Sequence, residues 1–109
     1  MQSYYLKFFV QENHKHHSLP VYEWLLEHAR KAGIKGGSAF RAIAGYGRHH
    51  KLHEAGFFEL AGSESIEVGF AVTGDEADKL LNLVNTEKLS LFYVKTPVEF
   101  GLTSGTATD

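Results

Sequence analysis

Cysteine is missing from the 109-residue chain, so disulfides, thiol catalysis and thiolate metal sites are all excluded. An excess of charge is missing too. The 11 Lys and Arg against 13 Asp and Glu leave a formal net charge of −2 with histidines neutral. That balance argues against binding nucleic acid or an anionic membrane through bulk charge, and leaves a local basic patch from Arg48 to Lys51 as the only candidate. No apolar run approaches the roughly 20 residues that span a bilayer, and the first residues show no basic leader ahead of an apolar core. The chain therefore reads as cytoplasmic. Its length suits one domain with a core large enough to fold alone.

What is present is patterned apolar sequence. Ser3 to Val10 sets Tyr4, Leu6, Phe8 and Val10 against Tyr5, Lys7 and Phe9, a strand apolar on one face and only partly polar on the other. Gln11 to Leu19 follows as a polar loop. Pro20 pre-sets the first turn of a helix with Val21, Trp24, Leu25, His28, Ala29 and Ala32 on one face. Ser18 is placed to cap this helix, and Gly33 to end it in a left-handed C-cap. A second strand runs from Ser38 to about Ala44, with Phe40, Ala42 and Ala44 on one face and Ala39, Arg41 and Ile43 on the other. The third, Ile66 to Val72, alternates Ile66, Val68, Phe70 and Val72 with Glu67, Gly69 and Ala71. Grouping Lys7, Arg41 and Glu67 on one sheet face with Tyr5, Phe9 and Ile43 gives a short-chained surface suited to meeting other subunits. Thr73, Gly74, Asp75 and Glu76 form a capping box. The helix it opens carries the stripe Ala77, Leu80, Leu81 and Val84 and ends near Asn85. A last strand, Leu89 to about Lys95, leads past Pro97 into a tail, 101–109, whose few apolar groups cannot offset its ordering entropy, so it is expected to be flexible.

Strand, helix, strand, strand, helix, strand is the ferredoxin-like βαββαβ plan. It is an α+β fold with a four-stranded antiparallel sheet and both helices on one face, here one domain over residues 1–100. The connection between strands two and three, 45–65, takes about 20 residues where a hairpin takes about 2–5. A connection that long points to function or mobility. It carries His49, His50, His53 and the pair Phe57 and Phe58, which suit a partner surface or fold back on the sheet.

The stretch entering that connection, Lys35 to Glu54, holds the candidate ligand residues. Gly36, Gly37 and Ser38 make a turn with amides open to an anion, and Gly45 and Gly47, with Tyr46 between them, let the backbone approach a ligand. Arg48 supplies a planar fork for phosphate or carboxylate. Arg41 serves the same end from the sheet face, or forms an ion pair with Glu67 of another subunit. Histidines invite a second reading. His14, His16 and His17, or His49, His50 and His53, offer imidazoles to zinc, copper or nickel. With only Glu12 as a local carboxylate, solvated histidines account for the first group more simply. No nucleophile, base and orienting acid can be assembled, so the chain does not read as an enzyme.

Leu6 through Glu12, Leu19-Pro20-Val21-Tyr22-Glu23, Ala29-Arg30, Gly33 to Ala44, Gly45-Tyr46-Gly47 and Leu52-His53 together resemble the uncharacterised PII-like family, numbered 190 among the domains of unknown function. The resemblance runs from about residue 6 to 95. It implies a ferredoxin-like fold, a homotrimer like that of the PII signal-transduction proteins, and a long loop equivalent to their T-loop. It also implies adenine-nucleotide clefts between subunits near the base of that loop, and a regulated transporter or enzyme met through residues 46–65. The chain departs from the pattern at Gly37-Ser38-Ala39, where the family has Gly-Ala-Thr, and at Ala61 to Ser65, where a Ser-x-Asp-Leu-Pro is missing. Asn85-Thr86-Glu87-Lys88 stands where PII proteins carry a Gly- and Lys-rich loop that cradles polyphosphate. A less charged ligand, AMP, ADP or a cyclic nucleotide, makes fewer demands on that connection than ATP. The function implied is regulatory sensing of such a nucleotide. The alternative is a metal-binding, cation-tolerance role similar to that of the CutA proteins, using the histidine clusters.

Overall fold

The computed structural model describes residues 2–46 and 64–105. Its strands are β1 (Ser3–Gln11), β2 (Lys15–His16), β3 (Leu19–Pro20), β4 (Ser38–Arg41), β5 (Ser65–Thr73) and β6 (Phe92–Pro97), with helices α1 (Val21–Lys31) and α2 (Gly74–Thr86). Four strands form one antiparallel sheet in the order β4-β5-β1-β6, while β2 and β3 make a separate small hairpin. The main sheet and two helices are the ferredoxin-like arrangement expected from the sequence.

Period-two alternation in β1 and β5 decides which side the helices cover. Leu6, Phe8 and Val10 share a face with Ile66, Val68, Phe70 and Val72, and all seven are buried against Val21, Trp24, Leu25 and Ala29 of α1 and Ala77, Leu80 and Val84 of α2. Burying each large apolar side chain in this layer is worth about 1.5–3 kcal/mol. The other face keeps Tyr5, Lys7, Phe9, Glu67 and Ala71, and a Cβ added at Gly69 would overlap the Tyr5 ring that lies over it.

Local signals set the helix ends. Thr73 accepts from the Glu76 amide at 3.2 Å, and the Glu76 carboxylate accepts from the Thr73 amide at 3.0 Å, a complete capping box. Gly33 has φ +94°, and the Ile34 amide reaches back to the Ala29 carbonyl at 3.0 Å, closing α1 in a Schellman motif. α1 differs at its start. Pro20 occupies the cap and no side chain caps the helix, while Ser18 (φ 69°) is committed to the turn between β2 and β3.

Three further boundaries differ from the sequence reading. β4 stops at Arg41 rather than Ala44, although the Ala42 amide still donates to the Ser65 carbonyl at 2.8 Å. α2 runs past Asn85 to Thr86 and ends with Lys88 at φ 60°. β6 starts at Phe92 because Leu89 and Leu91 are used to pack against the core beneath the helix end, and pairing with β1 begins only at Phe9 opposite Phe92. Of the tail, residues 103–105 form a short 3-10 turn.

The segment entering β4 crosses the core closely, and an added Cβ at Gly37 would sit 2.5 Å from Cε1 of Phe70, itself 1% exposed. Two outcomes are expected in urea unfolding. Thr73→Ala, which removes one half of the capping box, lowers stability by about 1 kcal/mol, whereas Gly37→Ala costs about 1–3 kcal/mol because the buried ring has no room to yield.

Candidate functional site

An open groove of about 390 Å³ runs between α1 and the segment entering β4, lined by Glu23, Leu26, Glu27, Arg30, Lys35, Gly36 and Gly37 over a floor that includes Phe70. It brings Gly36 and Gly37 together on one wall. Neither has a left-handed φ, nor does Gly45, since Gly33 alone takes one among the described glycines. Gly37 is therefore glycine because of Phe70, while Gly36 faces open space that leaves a backbone amide approachable.

The other expected ligand residues lie further along the chain. Ser38 opens β4 opposite Gly69, and Arg41 closes it opposite Ile66, so the two lie on different sheet faces about 10 Å apart along the strand. Register also settles the charge on the outer face. Phe40, not Arg41, stands opposite Glu67, and Glu67 takes Lys7 at 3.3 Å. The sequence reading puts Arg41 on Glu67's face because an exposed edge strand carrying Phe40, 61% exposed, and Ile43, 98% exposed, shows no apolar alternation to orient it. Arg41 instead grips Glu12 with two hydrogen bonds, Nε donating to Oε1 at 3.4 Å and Nη2 to Oε2. Its guanidinium holds the Glu12 carboxyl below the usual range, and the carboxylate in turn raises the Arg41 pKa. The Glu12 amide also donates to the Glu64 carbonyl at 2.9 Å. Glu12 thus clasps both ends of the long connection. Gly45 and Tyr46, 75% exposed, lie beyond the clasp. Gly47, Arg48, His49, His50, His53, Phe57 and Phe58 fall outside the described residues.

The first histidine group is partly gathered. His16 Nε2 lies 2.8 Å and His17 Nε2 3.5 Å from Oε1 of Glu87, which follows α2. A carboxylate only accepts, so Nε2 of His16 carries the proton of that bond. The bond from His16 outweighs partial burial and lowers the Glu87 pKa, with His17 adding to it. The His16 ring meets Trp24 edge-on at 5.2 Å, and Trp24 stacks on His28 at 4.2 Å. His28 is a packed histidine, as its spacing implies, with Nδ1 bonded to the Trp24 carbonyl at 3.0 Å. His14 does not join the cluster, its backbone carbonyl accepting from the Val21 amide instead. Glu87, 71 residues from His16, carries no local signal. Glu12 is visible in the sequence as the loop's carboxylate but not as the partner of Arg41.

No helix among the described residues is long and apolar enough to cross a membrane. The chain is 35% identical over 75 residues to the UPF0166 protein of Aquifex aeolicus (strain VF5), covering 69% of each. Among solved structures it is similar to CPII, a nitrogen regulatory PII-like protein from Thiomonas intermedia K12 bound to ADP, AMP and bicarbonate, with a TM-score of 0.61, 19% identity, and 94% of this chain and 96% of that one covered. It is similar also to a PII-like protein from Thermus thermophilus, with a TM-score of 0.61, 14% identity, and 90% and 88% covered. At those identities the two structures speak to fold alone. The model of the DUF190 family, described as Uncharacterized ACR, matches residues 3–98, and the chain belongs to that family.

Proposed function

We propose that this protein is a non-enzymatic regulator of the PII-like kind. It forms a homotrimer, senses an adenine nucleotide in clefts between subunits, and passes that state through the 46–65 loop to a transporter or enzyme. The observation that carries the reading is the shared fold, over 94% of this chain, with a PII-like protein that binds ADP, AMP and bicarbonate.

Two features of the chain support it. The outer sheet face presents Phe40 and Phe92, 61% and 45% exposed, beside Phe9 and a central Lys7–Glu67 pair. Apolar groups around a fixed ion pair suit an isologous or cyclic contact between copies. Of the described candidate residues, Gly36, Gly37 and Ser38 lie at the start of β4 and Arg41 at its end, and in this reading a neighbouring copy completes the site. In this reading Gly36, Gly37 and Ser38 offer backbone polar groups. Gly45, Tyr46 and Gly47 form the approach, and Arg48 and Arg41 bind phosphate. A low-charge nucleotide is favoured because the backbone after α2 is already spent. The Lys88 and Leu89 amides donate to Asn85 and Val84 at 3.0 and 3.2 Å, leaving them unable to cradle a triphosphate.

Calorimetry with untagged protein tests the proposal. AMP, ADP or cyclic AMP is expected to bind more tightly than ATP, and Arg48→Ala to weaken binding by about tenfold or more, the loss of one charge-assisted hydrogen bond. Absence of affinity for every adenine nucleotide at millimolar concentration would sink it.

Arg41 must leave Glu12 to reach a phosphate. Glu12→Gln is therefore expected to tighten nucleotide binding several-fold, and an unchanged affinity removes Arg41 from the ligand set. The same variant has a pH signature. Because the folded carboxyl titrates below its ordinary value of 4.5, the stability from this pair is fully present above that pH and is lost as the pH falls through the lowered value. Glu12→Gln should flatten that part of the acid-unfolding curve.

A further inference from the structure

The turn between β2 and β3 is built in an unusual way. Lys15 pairs with Pro20 and His16 with Leu19, leaving His17 and Ser18 as the two central residues, with φ of 53° and 69°. Two positive φ values define a type I′ turn, which ordinarily takes Asn-Gly or Gly-Gly. Here both residues carry side chains, and left-handed backbone at non-glycine positions is strained unless the surroundings hold it. The turn has one chemical result. Adjacent residues of an extended strand send their side chains to opposite faces, yet His16 and His17 have ring centroids 4.1 Å apart and both reach the same carboxylate oxygen of Glu87.

Glu87 arrives at that point by an independent route. It is the C-cap residue of α2, which has no basic residue in its last turn, and its position is fixed by the helix-ending bonds of Lys88 and Leu89. A carboxylate at the negative end of a helix dipole is unfavourable by itself. A cation between Glu87 and the imidazoles offsets both charges. The ligand atoms of His16, His17 and Glu87 all lie within 4.8 Å of one another. Tetrahedral coordination at zinc bond lengths needs edges of about 3.3 Å, and the two observed N···O separations of 2.8 and 3.5 Å bracket that value.

We propose that His16, His17 and Glu87 form a binding site for a divalent transition-metal ion of the zinc class, separate from the nucleotide reading and independent of it. Two imidazoles with one carboxylate select such an ion over magnesium or calcium, which take oxygen ligands. The Trp24 edge fixes the His16 ring, and Glu87 is anchored by the helix end. His17, with 73% of its side chain exposed, opens the site to solvent. Three protein donors leave a fourth position for water or an outside ligand, the pattern of a responsive rather than a closed structural site.

The test is equilibrium dialysis of the untagged, chelator-stripped full chain against Zn²⁺ alone, followed by elemental analysis, with Co²⁺ absorbance reporting coordination geometry. One ion per chain is expected, with a tetrahedral Co²⁺ spectrum. His17→Ala and Glu87→Gln, at an exposed turn and a helix end, are each expected to weaken binding at least tenfold while circular dichroism stays unchanged. A variant with His49, His50 and His53 all replaced by Ala should still hold one ion per chain. Zn²⁺ should also raise the melting temperature of the wild type and not of Glu87→Gln. Failure of the wild type to take up Zn²⁺ at about 100 μM, where a useful site would be saturated and stabilised, overturns the proposal. So does binding that survives His17→Ala and Glu87→Gln but disappears in the triple-histidine variant.

Discussion

Each residue of β1 faces a residue of β5 in one unbroken register, from Ser3 opposite Thr73 to Gln11 opposite Ser65. Slipping β1 by one position against β5 would carry Lys7 into the helix-covered layer and turn Leu6 and Phe8 outward, and slipping β5 instead would do the same to Glu67, Val68 and Phe70. That layer is the whole core, so the register is specified by the burial of those side chains. The rest of the architecture follows from it. β6 adds to the free side of β1 and β4 to the free side of β5. The capping box at Thr73, the last residue of β5, starts α2 where the sheet ends.

Charge is kept out of this core. No charged or polar residue is buried among the described residues. Among the described residues, Lys7–Glu67 lies in the middle of the outer face, Arg41–Glu12 at the stem of the long connection, and the contacts of His16 and His17 with Glu87 beyond α2. Exposed pairs contribute little to stability, so changing their partners costs little. That property suits a protein proposed to respond to ligands and partners, because the groups that would answer a ligand are not the ones holding the sheet together.

Sequence and structure agree where a strong local pattern meets burial. β1, β5, the capping box and the Gly33 helix end were legible because alternation, a four-residue capping signature and a left-handed glycine each act over a few residues. β4 was not. Its residues are all exposed, so no apolar face oriented Arg41, and only pairing with β5 reveals which side it takes. The end of α2 at Thr86 falls beside the expected Asn85, with Lys88 rather than a glycine or asparagine in the left-handed position. The candidate site was less legible than the fold. Gly36 and Gly37 do share a groove, but the glycine at 37 answers to Phe70. The histidine cluster lacked its carboxylate in any sequence window, since Glu87 and His16 meet only through the tertiary fold.

The central place of β1 bears on how the chain folds as it is made. Its first sheet partner begins at Ser65 and its second at Phe92, so β1 emerges dozens of residues before any strand that can pair with it. The loop-closure entropy of those distant contacts must be met before their burial is gained, a topology associated with slower folding than that of helical bundles. Until β5 emerges, Leu6, Phe8 and Val10 have no sheet to join. During synthesis this apolar strand is therefore exposed to aggregation, and its protection depends on how quickly residues 65–73 follow.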